Sequence, residues 1–191
     1  MQLHTVPAVR HALASMPPSL RLRPSSFAPV CDPRAQTLIL GSMPGIEALR
    51  VREYYAHASD SFWKIMGALY GAGPCLPYEL RLRILKQNRI ALWDVVQSCD
   101  RTAYAGAPVA KDGRVPNDIA AFLRTHPGIR RIYFNGAVAA RLFDSLIADR
   151  LDGLHLDIAL QPLPSTSPAN ASLRHSQKLV AWSVLRDRAQ H

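Results

Sequence analysis

The sequence lacks the features that define several protein classes. Its 191 residues contain no apolar run near the roughly 20 residues that cross a bilayer. The three cysteines, Cys31, Cys75 and Cys99, lie far apart and form neither a CxxC pair nor a zinc-ligand spacing. A fourth thiolate for an iron–sulfur cluster is missing. These absences predict a soluble protein of a reducing cytoplasm, without a disulfide framework, a metal or a cofactor.

Acidic residues are scarce, and the first 31 residues contain none. Over the whole chain there are 23 Lys and Arg residues against 14 Asp and Glu residues, a formal net charge of +9. A basic surface suits a polyanion, because each contacted phosphate releases condensed counterions. Prolines and arginines near the start predict a basic N-terminal arm over 1–26 and one domain over 27–191. A basic proteome would give the same bias without nucleic-acid binding.

Strand-like and helix-like segments alternate through the predicted domain. Short buried apolar runs predict four strands, at Thr37–Leu40, Arg89–Trp93, Arg131–Phe134 and Ile158–Leu160. Helical crossovers between parallel strands cover both faces of a sheet. We therefore expect an α/β fold, a three-layer α/β/α sandwich around a central four-stranded parallel sheet.

Helical spacing of apolar residues places the helices. Residues Phe62–Tyr70 form one, with Gly71 as its C-cap, and Tyr78–Gln87 form another. Pro116 and Asn117 are expected to open a third. The apolar face of a fourth comprises Val138, Leu142, Phe143 and Leu146. A last helix is predicted over residues 171–187. Its predicted buried side chains are Leu173, Val180, Ala181, Val184 and Leu185.

The first segment beyond a strand end is Gly41-Ser42-Met43-Pro44-Gly45. Ligands of parallel α/β sheets bind at this edge. Two glycines around a proline let the backbone turn sharply and present N–H groups to a ligand. The segment lacks the GK[ST] of a P-loop and the GxGxxG of a dinucleotide site. A plain turn from strand to loop is the alternative.

The second segment joins aromatic rings to a carboxylate. A carboxylate such as Asp60 can activate water, and a ring such as Phe62 can stack on a base. Alternatively, Ser59 or Asp60 caps the following helix, and Phe62 and Trp63 belong to the core. The segment runs Tyr54-Tyr55-Ala56-His57-Ala58-Ser59-Asp60-Ser61-Phe62-Trp63.

The third and fourth strand ends carry an amide and a run of hydroxyls. Asn135 can pair with the donor and acceptor edge of a base, or can cap the next helix. Hydroxyls and backbone N–H groups at a helix start are phosphate ligands, and a solvated, helix-capping loop is the alternative. Arg174 and His175 either add charge there or belong to a wet surface. The hydroxyl-rich segment runs Leu163-Pro164-Ser165-Thr166-Ser167-Pro168-Ala169-Asn170.

In this order the four segments resemble the uracil-DNA glycosylase superfamily, over roughly residues 27–187. GSMPG resembles its first motif and LPSTS its second motif, where the intercalating loop lies. SDSFW resembles the segment that supplies the stacking ring, and FNG the strand end with a base-reading Asn. Together they look most like the hypoxanthine-DNA (deoxyinosine) glycosylase branch.

The resemblance implies a monofunctional DNA repair enzyme, a monomer associated with the nucleoid. It would act on double-stranded DNA, with single-stranded DNA as a further substrate, flip out a deaminated base such as hypoxanthine, uracil or xanthine, and hydrolyse its N-glycosidic bond. The catalytic residues it implies are Asp60, which would orient or deprotonate water, together with Ser42 and Met43. The substrate-binding residues it implies are Gly41, Pro44, Gly45, Phe62 and Asn135. The DNA-binding residues it implies are Ser165, Thr166, Ser167, Pro168, Ala169, Asn170 and Arg174.

Three positions depart from the family patterns. Met43 stands where mismatch-specific enzymes carry a water-positioning Asn, and Asp60 where the hypoxanthine branch carries Asn. Leu163 replaces a His that stabilises the departing uracil anion in other uracil enzymes. The alternatives are a mismatch-specific uracil or thymine-DNA glycosylase and a catalytically weak DNA-binding relative. A small-molecule hydrolase of similar fold is a further alternative and would not bind duplex DNA.

Overall fold

The structure is a computed structural model that describes residues 25–99, 113–151 and 157–187. Most of the predicted N-terminal arm, residues 1–24, lies outside the described residues. In chain order the described elements are β1 (Thr37–Gly41), α1 (Ile46–Val51), α2 (Phe62–Tyr70), α3 (Tyr78–Gln87), β2 (Ile90–Asp94), β3 (Val96–Ser98), β4 (Val115–Pro116), α4 (Ile119–Thr125), β5 (Arg131–Asn135), α5 (Ala137–Leu146), α6 (Ala148–Leu151), β6 (Ala159–Leu163), α7 (His175–Trp182) and α8 (Val184–Asp187).

Four strands form one parallel sheet in the order β2-β1-β5-β6. β1 lies between β2 and β5, and its last residue, Gly41, pairs with Asp94 at the end of β2. β6 pairs with β5 and places Leu163 opposite Asn135. The carboxyl ends of all four strands therefore lie at one edge. The four segments singled out in the sequence begin or lie at that edge.

Side chains of β1 alternate between the two faces of the sheet, as the geometry of a strand requires. Leu38 and Leu40 belong to a buried cluster with α4 and α5, whereas Ile39 belongs to a cluster with α2, α3, α7 and α8. Helices thus cover both faces, and the predicted three-layer α/β/α sandwich is confirmed. Within the described ranges, no helix combines the length and apolar character needed to span a membrane.

Helices α2 and α3 begin and end as predicted, and α2 is closed by Gly71 with a φ of 79°. The third predicted helix begins later than expected, because Val115–Pro116 forms β4 and pairs with β3. Helix α4 starts at Ile119, where the Asp118 side chain accepts the N–H of Ala121 at 3.0 Å. A capping carboxylate therefore defines this helix start, rather than Pro116 and Asn117.

The last predicted helix is shorter and buries a different face. Helix α7 begins only at His175, and α8 follows as a separate short helix. Val180, predicted to be buried, is 74% exposed, whereas Lys178 and Trp182 are buried. The indole of Trp182 buries more apolar area than Val180, and its N–H reaches Pro164 O at 2.9 Å. The helix therefore turns its Trp182 face to the core.

Two smaller differences concern α5 and β6. Val138, predicted on the apolar face of α5, is exposed, while Leu142 and Phe143 of that face are buried. The fourth strand covers Ala159–Leu163 rather than Ile158–Leu160. It can include Pro162 because β6 is an edge strand, where a missing N–H breaks no ladder.

Gly136 allows the loop after β6 to approach the end of β5. Its φ is 97°, and a Cβ on it would meet Ser165 Cβ at 2.7 Å. We expect Gly136→Ala to lower the free energy of unfolding by about 1–3 kcal/mol, measured by urea denaturation. Gly45→Ala is the matched control, since no atom lies within 4 Å of its Cβ position and its φ is −72°. Equal losses in both variants would contradict the steric argument.

Candidate functional site

Thr166 connects three of the strand-end segments. Its side chain is fully buried. The Thr166 N–H donates to Asn135 Oδ1, and Asn135 Nδ2 donates to Thr166 Oγ1, both at 2.8 Å. The N–H of Ser61 donates to Thr166 O at 3.0 Å. The loop after β6 is thereby fixed to the end of β5 and to the start of α2. Thr166 faces inward, although it was predicted to contact DNA.

Asp60 lies in the same cluster and helps to cap α2. Its Oδ1 accepts the N–H of Phe62 at 2.9 Å. Burial raises the pKa of the Asp60 carboxyl, while hydrogen bonds from Phe62 and Thr166 and the charges of Lys178 and His57 lower it. Asp60 therefore has the capping role that the sequence offered as an alternative. Its carboxyl is half-buried and lies beside Thr166. The structure thus brings Asp60 and Asn135 to the same threonine.

Phe62 lies in the core rather than open to the site. It is 0% exposed, and the ring of Tyr55 stacks on it with centroids 3.9 Å apart and planes at 23°. Trp63 and Trp182 meet Phe62 edge to face. A base can reach the stacked face of Phe62 only if the Tyr55 ring leaves it. Sequence reasoning gave Tyr55 no role.

The loop after β1 turns over the end of β2. The carbonyls of Gly41 and Ser42 accept the N–H groups of residues 95 and 96 at 2.9 and 3.0 Å. Met43 packs against the core, and the Cys99 thiol donates to its sulfur at 3.3 Å. These contacts fix the loop. The side chain of Met43 packs in the core, so it does not replace the Asn that positions water in the mismatch-specific enzymes.

The other predicted contact residues differ in exposure. The exposed ones are Gly45, Pro168, Ala169 and Arg174. The half-buried ones are Ser42, Ser165, Ser167, Asn170 and Asn135. Gly41 and Pro44 are buried. The tip of the loop after β6 is therefore its solvent-facing part, while its base is anchored to the protein.

Lys178 is a buried cation that the sequence reasoning missed. It is 4% exposed, and its Nζ donates to Asn170 O at 2.9 Å. Its charge also acts on Asp60. One turn later on α7, Trp182 holds the carbonyl of Pro164. Helix α7 therefore holds both ends of the loop over 164–170. The available sequence signal was the spacing of four between Lys178 and Trp182, which places both on one helix face.

Asp94 is a second buried group that received no role. It is 3% exposed, burial raises its pKa to about 8, and its Oδ2 has no hydrogen-bond partner among the described residues. A Cβ on Gly41 would lie 2.4 Å from Asp94 Oδ1 and 3.2 Å from Tyr55 Oη. An acid that ends an apolar strand at the ligand edge was the available signal. Within the described ranges, no three His, Cys, Asp or Glu residues form a group that could hold a metal ion.

Comparison with known proteins identifies the family. The family model of the uracil DNA glycosylase superfamily matches residues 28–186. The chain belongs to the uracil DNA glycosylase superfamily. It is 34% identical to the hypoxanthine DNA glycosylase of Methanosarcina acetivorans over 145 residues, which are 75% of this chain and 86% of that relative. It is 33% identical to the hypoxanthine DNA glycosylase of Methanosarcina barkeri over 116 residues, 60% of this chain and 72% of that relative.

A solved structure agrees with the sequence comparisons. The solution NMR structure of a candidate uracil DNA glycosylase from Methanosarcina acetivorans superposes with a TM-score of 0.68 at 29% identity. The match covers 86% of this chain and 99% of that chain. The resemblance inferred from the motifs is therefore confirmed. The protein is a DNA glycosylase, a hydrolase of DNA repair whose substrate is DNA.

The buried carboxyl of Asp94 makes stability depend on pH. Its pKa is about 8 in the folded protein against an ordinary 3.8. Between these values the folded state keeps a proton that the unfolded state has lost. Rising pH therefore lowers the free energy of unfolding, by up to about 1.4 kcal/mol per pH unit. We expect Asp94→Asn to reduce this fall, measured by urea denaturation between pH values near those two limits. An equal fall in variant and wild type would contradict the assignment.

Proposed function

We propose that the protein excises deaminated bases from duplex DNA, with hypoxanthine as the preferred base, by flipping the nucleotide and hydrolysing its N-glycosidic bond. The observation that supports this most is the convergence of Asp60 and Asn135 on Thr166, beyond the carboxyl ends of the strands. The names of the two curated relatives support the choice of hypoxanthine. The protein acts on nucleoid DNA as a monomer, and residues 27–191 form its one domain.

Asp60 serves the attacking water. The carboxylate orients the water or takes its proton, while the water oxygen forms a bond to C1′ of the deoxyribose. The bond between C1′ and the base nitrogen breaks, and its electron pair leaves with the base. Burial raises the pKa of Asp60, and its hydrogen bonds together with the charges of Lys178 and His57 oppose that rise in favour of the ionised form that this step requires. No further covalent step on the sugar is proposed.

Asn135 reads the edge of the base. The two hydrogen bonds between the Asn135 side-chain amide and Thr166 use one amide hydrogen and one lone pair of the amide oxygen. One amide hydrogen and one oxygen lone pair of Asn135 remain for hydrogen bonds with a ligand. Phe62 is covered by the Tyr55 ring that stacks on it, so these two rings together form the aromatic platform for the base. The backbone N–H groups of Ser42 and Met43 meet the base oxygens. The buried Gly41 and Pro44 and the exposed Gly45 shape the loop that presents those N–H groups.

The loop over 165–170 enters the duplex. Its exposed tip, Pro168 and Ala169, acts as the wedge that fills the space left by the flipped nucleotide. The energetic cost of flipping is least for a mispaired base. Ser165 and Ser167 contact the flanking phosphates, and the exposed Arg174 adds a positive charge. A wedge needs a rigid support, which comes from the hydrogen bonds that join Thr166 of this loop to Asn135 and Lys178 to Asn170 of this loop.

Duplexes that each carry one deaminated base test the function directly. We expect the protein to leave abasic sites, cleaved by alkali, in duplexes with inosine, and to a lesser extent with uracil or xanthine. A thymine mispair tests the mismatch-specific alternative. Salt-sensitive binding without an abasic product would instead support a catalytically weak relative, and the absence of duplex binding would favour a small-molecule hydrolase.

Asp60→Ala tests the catalytic assignment. Removal of the group that serves the water should slow single-turnover excision by at least about a hundredfold, while DNA affinity stays within a few-fold. Asp118→Ala is the matched control, because Asp118 also accepts an N–H at a helix start but lies on α4, on the other face of the sheet. Excision by Asp60→Ala at the rate of the Asp118 control would remove Asp60 from the mechanism.

A further inference from the structure

The segments of the candidate site carry little positive charge. The four strand-end segments, residues 41–45, 54–63, 134–136 and 163–170, contain no Lys or Arg, although the chain has a net charge of +9. The exposed Arg174 and the buried Lys178 follow the last of these segments. Most of the Lys and Arg residues, which attract the phosphates of DNA, therefore lie elsewhere on the molecule.

Exposed arginines lie at the opposite edge of the sheet, where the strands begin. Gln36, the residue before β1, donates its N–H to Arg89 O at 2.8 Å and accepts the N–H of Arg130 on its carbonyl at 2.9 Å. Arg89 directly precedes β2, and Arg130 directly precedes β5. The backbones of these two arginines are therefore two strand spacings apart, about 10 Å. Both are exposed, at the edge that faces away from the site.

Helix α3 continues this line of cations. Arg83 and Lys86 are three residues apart, so they lie on one face of the helix. The N–H of Arg89 donates to Lys86 O at 2.9 Å, which brings the end of the helix next to the sheet edge. We call this set of cations the basic row. It comprises Arg83, Lys86, Arg89 and Arg130.

Little negative charge neutralises the basic row. Asp32 lies near Lys86, but its carboxylate is paired with Arg34, which donates to it at 2.9 and 3.3 Å. Asp157, which precedes β6, is a second acid at this edge. In the part of the chain that the structure describes, no ion pair joins an acid to a member of the basic row. Its charges are therefore available to an external polyanion.

We propose that the basic row binds the phosphate backbone of a second DNA segment while the opposite edge of the sheet holds the segment under repair. DNA is the polyanion that the protein already binds as its substrate. Contacts to phosphates are independent of sequence, and separate flexible cations suffice for them. The two edges are the length of β1 apart, five residues or about 16 Å, so one chain can join two duplexes. The inference rests on DNA as the substrate and not on which base is excised.

The number of duplexes that one chain binds tests the inference. Sedimentation of the full chain with short undamaged duplexes at low salt is expected to show two duplexes per wild-type chain. Arg89→Glu/Arg130→Glu should bind one. The matched control is Arg141→Glu/Arg186→Glu, which changes the net charge equally at exposed positions on α5 and α8 and should still bind two. A single duplex on the wild type, or an equal result for both double variants, would overturn the inference.

Salt dependence gives a second readout with a variant that does not impair folding. Arg89 has a φ of 59°, a conformation that glycine adopts without strain, so Arg89→Gly should be at least as stable as the wild type in urea. Loss of one phosphate contact should lower the slope of log affinity against log salt for the second duplex by about 0.9. Arg141→Ala should leave this slope unchanged. An unchanged slope in Arg89→Gly would contradict the inference.

Excision separates this inference from the proposed function. Single-turnover excision of inosine by Arg89→Glu/Arg130→Glu should match the wild-type rate, because the basic row lies away from the site. Slower excision by this variant than by the control would place the row against the duplex under repair and refute a second segment. Two bound duplexes on a wild-type chain that excises no base would contradict the proposed function and support the inference.

Discussion

The site depends on the hydrogen bonds of one buried threonine. Thr166 receives the Asn135 amide on its hydroxyl, donates its N–H to the same amide, and accepts the N–H of Ser61 on its carbonyl. Two of these bonds join the loop after β6 to the end of β5, and the third joins it to the start of α2. A buried hydrogen-bonded cluster is stable only while each member keeps its partner, so the segments are positioned as one unit.

Burial gives the two carboxyls of this region different properties. Asp94 lies under the sheet edge with desolvation as the cause of its high pKa, so it stays neutral over most of the physiological range. Asp60 is also desolvated, but hydrogen bonds and the charges of Lys178 and His57 oppose the effect.

The architecture was predictable because local pattern and global fold agree. Helix α2 has apolar residues at helical spacing and a glycine that takes the left-handed C-cap, and its observed ends match. Where more than one face of a helix carries apolar residues, the sequence does not determine which face is buried. The last helix contains enough apolar residues for Val180 to be placed inside, and only the packing of Trp182 against Pro164 decides which face is buried.

The candidate site was predictable in its segments and less so in its contacts. Residue type and strand order indicated Asp60 and Asn135, because carboxyl ends of parallel strands meet at one edge. A lysine on a helix ordinarily lies in solvent, and its spacing of four from Trp182 indicates a shared helix face without indicating that this face is buried. The stacking of Tyr55 on Phe62 depends on a turn in which Tyr55 has a positive φ, and nothing in the local sequence pattern indicates that turn.

The sequence by itself determined the layered α/β architecture, the order of the four strand-end segments and the family to which they belong. These follow from periodicity and from residue types at strand ends, which are local properties. Only the tertiary structure decided that Thr166 faces inward, that Lys178 and Asp94 are buried and that a tyrosine covers Phe62. Burial and the direction of a side chain depend on which surfaces meet when the chain folds, and no single segment encodes that.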